Sequence, residues 1–277
     1  MKIALDPAML KAKPLDVVLH SCAEAGYVYV EFGNRDDFIP AFNAVQASRS
    51  ELERTRLAAG EAGVEIVSLA VIQAWSSPDE TLRRRAVSWW LDGIAAAVAL
   101  RCTHINTELS GDPNQPAESR AAFLRSMETL LPALDREGVS VAIEPHPWDF
   151  VETTKAAVDL VHAVGSPRLS YLHCVPHTYY LGASAAEQIA YASGCFDHAH
   201  VADTYRPERT IVNPPGLQSR IHQHFDIGRA EVDWAQTAKA FRTARFDGIL
   251  TVQVFGWDER AEDSFRFNRN EAERLFG

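Results

Sequence analysis

The chain lacks the features that mark several common classes of protein. Its 277 residues contain no apolar run close to the roughly 20 residues that a helix needs to span a bilayer. Its four cysteines form no C-x-x-C pair and no recognisable disulfide framework. No dense Lys/Arg run is present and the formal net charge is −10, which argues against nucleic-acid binding. The first residues, MKIALDPAML, do not resemble a secretory signal, so we expect a cytoplasmic protein without a membrane partner.

Short β-branched runs alternate with amphipathic stretches along the chain, as in proteins built from β–α units. We predict eight strands, at residues 2–7, 27–33, 64–72, 104–110, 139–145, 169–174, 196–203 and 248–255. We predict six helices, at residues 48–63, 77–100, 116–138, 153–165, 233–244 and 259–276. Three strands follow the same helix–glycine–apolar junction, in EAGYVYVEF, EAGVEIVSL and REGVSVAIE, which favours a ring of repeated units.

Eight strands, each followed by a helix or a long loop, predict an α/β protein with a single (β/α)₈ TIM-barrel domain over residues 1–277. An open doubly wound sheet is the main alternative, but no G-x-G-x-x-G turn follows the first strand. Residues 204–230 form a long predicted loop between the seventh strand and its helix. Loops of this length inside a compact domain usually carry function.

Histidines are concentrated in one part of the chain. Of the ten histidines, eight lie between residues 146 and 224. Seven of these fall at predicted strand ends or in the loops that follow: His146, His173, His177, His198, His200, His222 and His224. In a TIM barrel the C-terminal ends of the strands converge on one face, where active sites lie. We therefore expect these imidazoles to meet at one mouth.

A carboxylate joins this group at the end of the fifth strand, in VAIEPHPWDF. A lone Glu144 at the end of an apolar strand would be costly unless it were paired or bound to a cation. A salt bridge to an Arg or Lys is the simpler alternative. His198 and His200 share one face of the seventh strand by alternation. Gln253, on the last strand, is predicted to point into the barrel, although a buried amide with a backbone partner would also fit.

These residues resemble the sugar isomerase/epimerase superfamily, the xylose-isomerase-like barrels that include the apurinic endonucleases, over the whole chain. In that superfamily a divalent metal is held by a Glu ending one strand, an Asp-x-x-His segment, a later His and a Glu on the last strand. Glu144 matches the first Glu, CVPH (174–177) matches the Asp-x-x-His segment, and His200 and Gln253 match the last two ligands.

The likeness also indicates a branch of the superfamily. MKIALDP, DFIPAF, EPHPWDFVE, VNPPG and HQHFDIG resemble the inosose isomerase/epimerase-like proteins of myo-inositol catabolism. More loosely, they resemble the catalytic α subunits of bacterial C-glycoside deglycosidases. Those subunits act on 3-keto sugars with a manganese ion and a small β subunit.

Two departures from the superfamily pattern affect the expected chemistry. Cys174 stands where the superfamily has a metal-binding Asp, and Gln253 replaces the closing Glu. Gln253 cannot accept a proton at neutral pH, so epimerisation by two opposed glutamates is not expected, but its carbonyl oxygen can bind a hard cation. We therefore predict four metal ligands: Glu144, His177, His200 and Gln253. His173 is the alternative to His177. This set suits Mn(II) best, with Zn(II), Fe(II) or Co(II) as alternatives, and a Cys174 thiolate would favour zinc.

The resemblance implies proton abstraction next to the carbonyl of a keto sugar or keto-cyclitol, with a divalent metal polarising that carbonyl. Glu144 and His146 are the predicted catalytic residues, with His146 as the base because its ordinary pKa lies near neutral pH. A hydrogen bond to a metal ligand or to the substrate is the alternative role for His146. We predict six substrate-binding residues: Trp75, Glu108, Cys174, Arg220, His222 and His224. Trp148 could also form a flat apolar wall, and Trp75 could equally pack a helix against the barrel.

The predicted activity is that of a metal-dependent sugar isomerase/epimerase. The first alternative is the α subunit of a C-glycoside deglycosidase, a carbon–carbon lyase that works by β-elimination. An apurinic endonuclease-like nuclease and a non-catalytic sugar-binding subunit are the others. We expect a small sugar or cyclitol as substrate, no nucleic-acid partner, and a homo-oligomer as in the superfamily, with a small β subunit in the deglycosidase alternative.

Overall fold

The computed structural model describes residues 1–34, 42–206, 224–255 and 257–277. Eight parallel strands close into a barrel in chain order, from β1 to β8. The strands are β1 (Lys2–Leu5), β2 (Tyr29–Asn34), β3 (Glu65–Val71), β4 (His104–Glu108), β5 (Ser140–Glu144), β6 (Leu169–Cys174), β7 (Phe196–Val201) and β8 (Ile249–Val252). The barrel predicted from the sequence is confirmed, with each strand inside its predicted bounds to within one residue.

The helices surround this barrel. They are α1 (Leu15–Glu24), α2 (Arg49–Ala62), α3 (Glu80–Leu100), α4 (Pro116–Glu137), α5 (Thr154–Val164), α6 (Val175–Tyr180), α7 (Ala185–Tyr191), α8 (Trp234–Thr243) and α9 (Ala261–Phe276). All six predicted helices are present, whereas α1, α6 and α7 were not predicted. In the part of the chain that the structure describes, no helix is long and apolar enough to cross a membrane.

The repeated glycine junctions end helices as the sequence predicts. Gly63 caps α2 with φ 78°, and Gly138 caps α4 with φ 70°. This left-handed conformation is accessible to glycine without the steric penalty that a Cβ brings. Each junction turns the chain directly into the next strand, which fixes where β3 and β5 begin and therefore where they end at the opposite face.

The barrel closes where β1 pairs with β8, from Lys2 opposite Ile249 to Leu5 opposite Val252. Two of the strand pairings contain a register shift. In the β2–β3 pair the shift lies between Val30 and Glu31, and in the β6–β7 pair it lies between Tyr171 and Leu172. Such irregularities change the direction in which a strand presents its next side chains.

The main apolar core lies between the strands and the surrounding helices, and it includes Trp75, Trp90 and Phe123. A second, much smaller apolar cluster is separate from it: Ala142, Leu172 and Cys174. Buried polar side chains from five strands are linked by contacts inside the barrel: Glu31, Ser68, Asn106, His198 and Thr251. TIM barrels usually fill this space with branched apolar side chains. Here the interior is polar, so its groups need partners from across the barrel.

Candidate metal centre

Three strand ends place a carboxylate, a thiol and an imidazole together. Glu144 ends β5, Cys174 ends β6 and His200 lies near the end of β7. The pairing of β6 with β7 sets Cys174 directly opposite His200. One ligand atom from each of the three side chains lies within 4.8 Å of the others, and all three residues are buried. The sequence prediction that Glu144 and His200 meet at one mouth agrees with this placement.

Two further histidines extend the group. His177 lies in the short helix α6, which begins directly after Cys174, so its imidazole folds back over the mouth with Nδ1 2.9 Å from Oε1 of Glu144. His224 forms a second compact group with Cys174 and His177, also within 4.8 Å. Nδ1 of His224 donates a hydrogen bond to the backbone oxygen of Gln253 at 2.7 Å. In this tautomer Nε2 of His224 carries the ring lone pair.

Opposite charges stabilise the centre of the site. Burial alone would raise the pKa of Glu144, but the His200 and His177 imidazoles outweigh it and hold that pKa well below its ordinary value. Burial alone would lower the pKa of His200, but the Glu144 and Glu31 carboxylates hold it well above its ordinary value. In this charge state an imidazolium lies between two carboxylates, with Nδ1 3.4 Å from Glu144 and Nε2 3.1 Å from Glu31.

Burial favours the uncharged form of the outer members of the group. Burial first, and then His146, lower the pKa of His177, and burial with His177 lowers that of His224 well below its ordinary value. Burial raises the pKa of the Cys174 thiol. The thiol therefore keeps its proton until a cation displaces it.

The donor set fits a divalent cation. Glu144 offers a carboxylate, His200 and His177 offer imidazoles, and Cys174 offers a thiol that becomes a ligand on deprotonation. Within the described ranges, Oε1 of Glu144 is buried and accepts no hydrogen bond of acceptable geometry, although Nδ1 of His177 is close to it. A buried carboxylate oxygen in this condition is costly unless a cation completes its environment.

His146 lies beside this group, at the mouth. Its ring is 4.5 Å from that of His177, edge to face. Nδ1 donates to the backbone oxygen of Pro147 at 2.8 Å, which leaves the lone pair on Nε2. Nε2 is 3.7 Å from a carboxylate oxygen of Glu108. The structure thus brings together His146 and Glu108, both predicted site residues, with the Glu144 group.

Trp148 forms part of the rim. It is 46% exposed and has a left-handed φ of 68°, a conformation that is strained for a bulky residue. Its indole lies edge-on to His146 at 6.3 Å and to Tyr180 at 6.0 Å, measured between ring centroids. These aromatic rings provide a flat apolar edge next to the imidazoles.

Two sequence predictions need correction. Trp75 does not line the mouth, because it is fully buried, stacks on Trp90 at 4.5 Å and donates its indole N–H to the backbone oxygen of Glu108. It packs α3 against the barrel. His173 is not an alternative ligand, because it points to the outer side of β6, where it meets the hydroxyl of Tyr171 and packs against Phe241 of α8. Burial lowers the pKa of His173 to about 3, so it is neutral.

The remaining predicted site residues are Gln253, Arg220 and His222. Gln253 lies at the mouth end of β8 and donates its amide N–H to Asp6 at 3.4 Å, so only its amide oxygen would remain for a cation. Whether it is a ligand stays a prediction. Arg220 and His222, both predicted to bind substrate, lie outside the described residues.

Two acidic residues of the site were missed by the sequence analysis. Glu31 on β2 is fully buried inside the barrel and contacts both His198 and His200. Asp6 follows β1, and burial together with the neighbouring Glu31 raises the pKa of Asp6 to about 7. The signal for Glu31 was a charged residue inside the apolar run YVYVEFG, which is the same signal that identified Glu144.

The chain matches a known family in sequence and known enzymes in fold. A family model described as "Xylose isomerase-like TIM barrel" matches residues 19–271. No curated protein sequence matches the chain. Among solved structures, D-psicose 3-epimerase in the presence of D-fructose has a TM-score of 0.81 at 14% identity, with 100% of each chain covered. The IolI protein with a bound zinc atom has 0.79 at 17%, again covering 100% of each chain. The 3-keto-D-glucoside 4-epimerase YcjR from E. coli, in its apo form, has 0.75 at 15%, covering 98% of this chain and 99% of that one. At these identities the likeness is one of fold.

Proposed function

The chain belongs to the xylose isomerase-like TIM barrel family, and on that premise we propose that it is a divalent-metal-dependent enzyme that moves a proton next to the carbonyl of a keto sugar or keto-cyclitol. The observation that carries the proposal is the buried convergence of Glu144, Cys174 and His200 at adjoining strand ends. The neighbouring structures add general support, since they include two sugar epimerases and a zinc-bound protein.

Glu144, Cys174, His200 and His177 are the residues that would hold the ion, with the amide oxygen of Gln253 as the remaining candidate. When bound, a divalent ion supplies Lewis-acid polarisation of the substrate carbonyl. The thiol among the donors favours Zn(II) over the Mn(II) that an all-nitrogen-and-oxygen set would select. Both ions, with Fe(II) and Co(II), belong in the test.

His146 is the proposed base. Its Nδ1–H is held by the carbonyl of Pro147, so Nε2 has the lone pair that can accept a proton from the α-carbon. The Glu108 carboxylate, 3.7 Å from Nε2, would stabilise the imidazolium that forms. The protonated Nε2 would then return the proton to the former carbonyl carbon, while the hydroxyl proton of the α-carbon passes to the former carbonyl oxygen, so that the carbonyl moves by one carbon. Trp148 and Tyr180 supply an apolar rim against which one face of a sugar ring can lie.

A β-elimination on a 3-keto glycoside is the second candidate. It is favoured by Gln253, whose amide donates to Asp6 and cannot exchange protons as the closing glutamate of the family would. Elimination needs one base at the α-carbon and an acid for the leaving group, and it does not need two opposed carboxylates. In this case a small β subunit would be the expected partner. Both candidates predict a small-molecule substrate, a homo-oligomer and no binding to abasic DNA.

The experiment is metal analysis followed by hydrogen exchange. Chelation should lower the melting temperature and stop activity, and Zn(II) or Mn(II) should restore both. With a panel of inososes and 3-keto glucosides, His146→Gln should abolish deuterium exchange at the α-carbon while the metal content stays unchanged. His162→Gln, on the exposed side of α5, is the matched control and should exchange normally. A protein that binds no metal and ignores the chelator would overturn the proposal.

A further inference from the structure

Glu31 is a fully buried carboxylate at the centre of the barrel, and four side chains contact it. Ser68 of β3 and Thr251 of β8 donate hydroxyl hydrogen bonds, the latter at 3.1 Å. His198 and His200 of β7 contact it through Nε2, at 3.0 Å and 3.1 Å. The two imidazoles approach different oxygens, with His198 at Oε2 and His200 at Oε1. The carboxylate is therefore held from three strands.

A charge in this position is not the most stable way to fill a barrel. Removing a carboxylate from water is costly, and apolar residues of similar volume are often as stabilising or more so. The backbone is also adapted to this carboxylate, because the register of β2 against β3 shifts between Val30 and Glu31. A buried charge that is costly, placed where the strand register is irregular, indicates that Glu31 has a role beyond packing.

The position of His200 indicates what that role is. Its Nε2 faces Glu31 and its Nδ1 faces Glu144, so the ring bridges the barrel interior and the mouth. We propose that Glu31 is a positioning residue: by accepting the Nε2–H of His200, it fixes the ring so that Nδ1 is presented to a divalent ion held with Glu144 and Cys174. This inference rests on the proposed function, because it assumes that the mouth binds a metal.

The same residues allow one other arrangement. Glu31, His198 and His200 lie within 4.8 Å of one another and could themselves hold an ion. The hydrogen bonds favour the positioning role, because the Ser68 and Thr251 hydroxyls and the two imidazoles already occupy the carboxylate. A second ion would have to displace the Nε2 proton that orients His200. Metal stoichiometry separates the two arrangements.

The test is the affinity of the full chain for Zn(II), measured by competition with a chromophoric chelator. Glu31→Gln should bind one ion about 10- to 100-fold more weakly than the unaltered protein, the range typical of lost partners of metal-bound histidines. Ser68→Ala is the matched control, since it removes a donor to Glu31 without touching His200, and its affinity should change far less. In the Co(II)-loaded protein, Glu31→Gln should also shift the visible absorption, which a purely structural change would leave in place.

Each outcome decides the inference. Equal affinity in folded Glu31→Gln, or two ions bound per unaltered chain, would overturn the positioning role while leaving the proposed function intact. No ion bound by the unaltered chain would overturn both. If Glu31→Gln does not fold, long-range ¹H–¹⁵N spectra of the unaltered Zn(II)-loaded protein take its place. They should show His200 protonated at Nε2 and coordinated through Nδ1, and the reverse pattern would contradict the inference.

Discussion

Neutralising His200 should destabilise the metal-free protein by more than any other single histidine change in the described part of the chain. His200 is buried between Glu144 and Glu31, and its ring nitrogens lie 3.4 Å and 3.1 Å from their oxygens. His200→Gln keeps most of the side-chain volume and removes the charge. Two buried carboxylates then lose a shared cation, so the change leaves uncompensated charge where water cannot reach it.

The size of the effect follows from this burial. Removing one partner of a buried ion pair costs about 3–5 kcal/mol. With about 2–4 °C of melting temperature per kcal/mol for large domains, we expect a fall of about 6–20 °C. The measurement is thermal unfolding after chelation, followed by far-UV circular dichroism. His162→Gln, on the exposed side of α5, is the control and should unfold within about 2 °C of the unaltered protein.

The loss of stability in His200→Gln should also depend on pH. The pKa of His200 is raised above its ordinary 6.5, so its contribution is complete below 6.5 and is lost as the pH rises through the raised value. The pKa values of Glu31 and Glu144 are lowered from 4.5, so their contribution is present above 4.5 and is lost as the pH falls through the lowered values. The stability of His200→Gln should therefore differ most from that of the unaltered protein between pH 4.5 and 6.5.

A double substitution tests whether charge is the cause. Adding Glu31→Gln to His200→Gln removes one of the two stranded carboxylates, so the double variant should recover part of the lost stability, with a coupling of about 0.5–3 kcal/mol. If the two substitutions simply add, or if His200→Gln unfolds like the control at every pH, the imidazolium does not hold the carboxylates together and the electrostatic account of the site is wrong.

Two further substitutions separate the chemistry of the site from its scaffold. Cys174→Asp replaces the soft donor with the carboxylate of the family pattern, so it should shift the preference of the site from Zn(II) towards Mn(II) in a competition titration; an unchanged order of affinities would remove Cys174 from the ligands. Trp75→Ala should lower the free energy of unfolding by about 3–5 kcal/mol in chemical denaturation, because it empties a buried stack against Trp90. The Zn(II) affinity of Trp75→Ala should stay normal. A large loss of Zn(II) affinity would contradict the purely structural role of Trp75.

The sequence was most informative where a local pattern determines the structure. The strand bounds, the glycine-capped helices and the family resemblance are confirmed, since alternation and capping act over a few residues. Helix α1 carries the pattern Leu15, Val18, Leu19 and Cys22 and could have been predicted. Helices α6 and α7 have six and seven residues, too few to show a helical period.

The error at His173 concerns which face of a strand points inward. All six residues of 169–174 are buried, so LSYLHC has no exposed polar face, and the pattern did not reveal that Cys174 points inward and His173 outward. Glu31 carries a local signal in YVYVEFG, but the sequence does not indicate its partners, because they are distant along the chain. Ser68, His200 and Thr251 are 37, 169 and 220 residues away, and only barrel closure brings them together.

The barrel interior explains why an imidazolium and a metal ion would be alternatives at this site. Glu144 and Glu31 are buried and need positive charge nearby in every state of the protein. Without an ion, His200 carries that charge by holding a proton on each nitrogen. With an ion at the mouth, the Nδ1 proton would have to leave, while the Nε2 proton would stay on His200 and be donated to Glu31. Because Cys174 would also release its proton on binding the ion, ion binding would be coupled to the loss of two protons, and low pH would favour the metal-free form. The residues that stabilise the metal-free barrel are therefore those that would set the pH range in which it binds its metal.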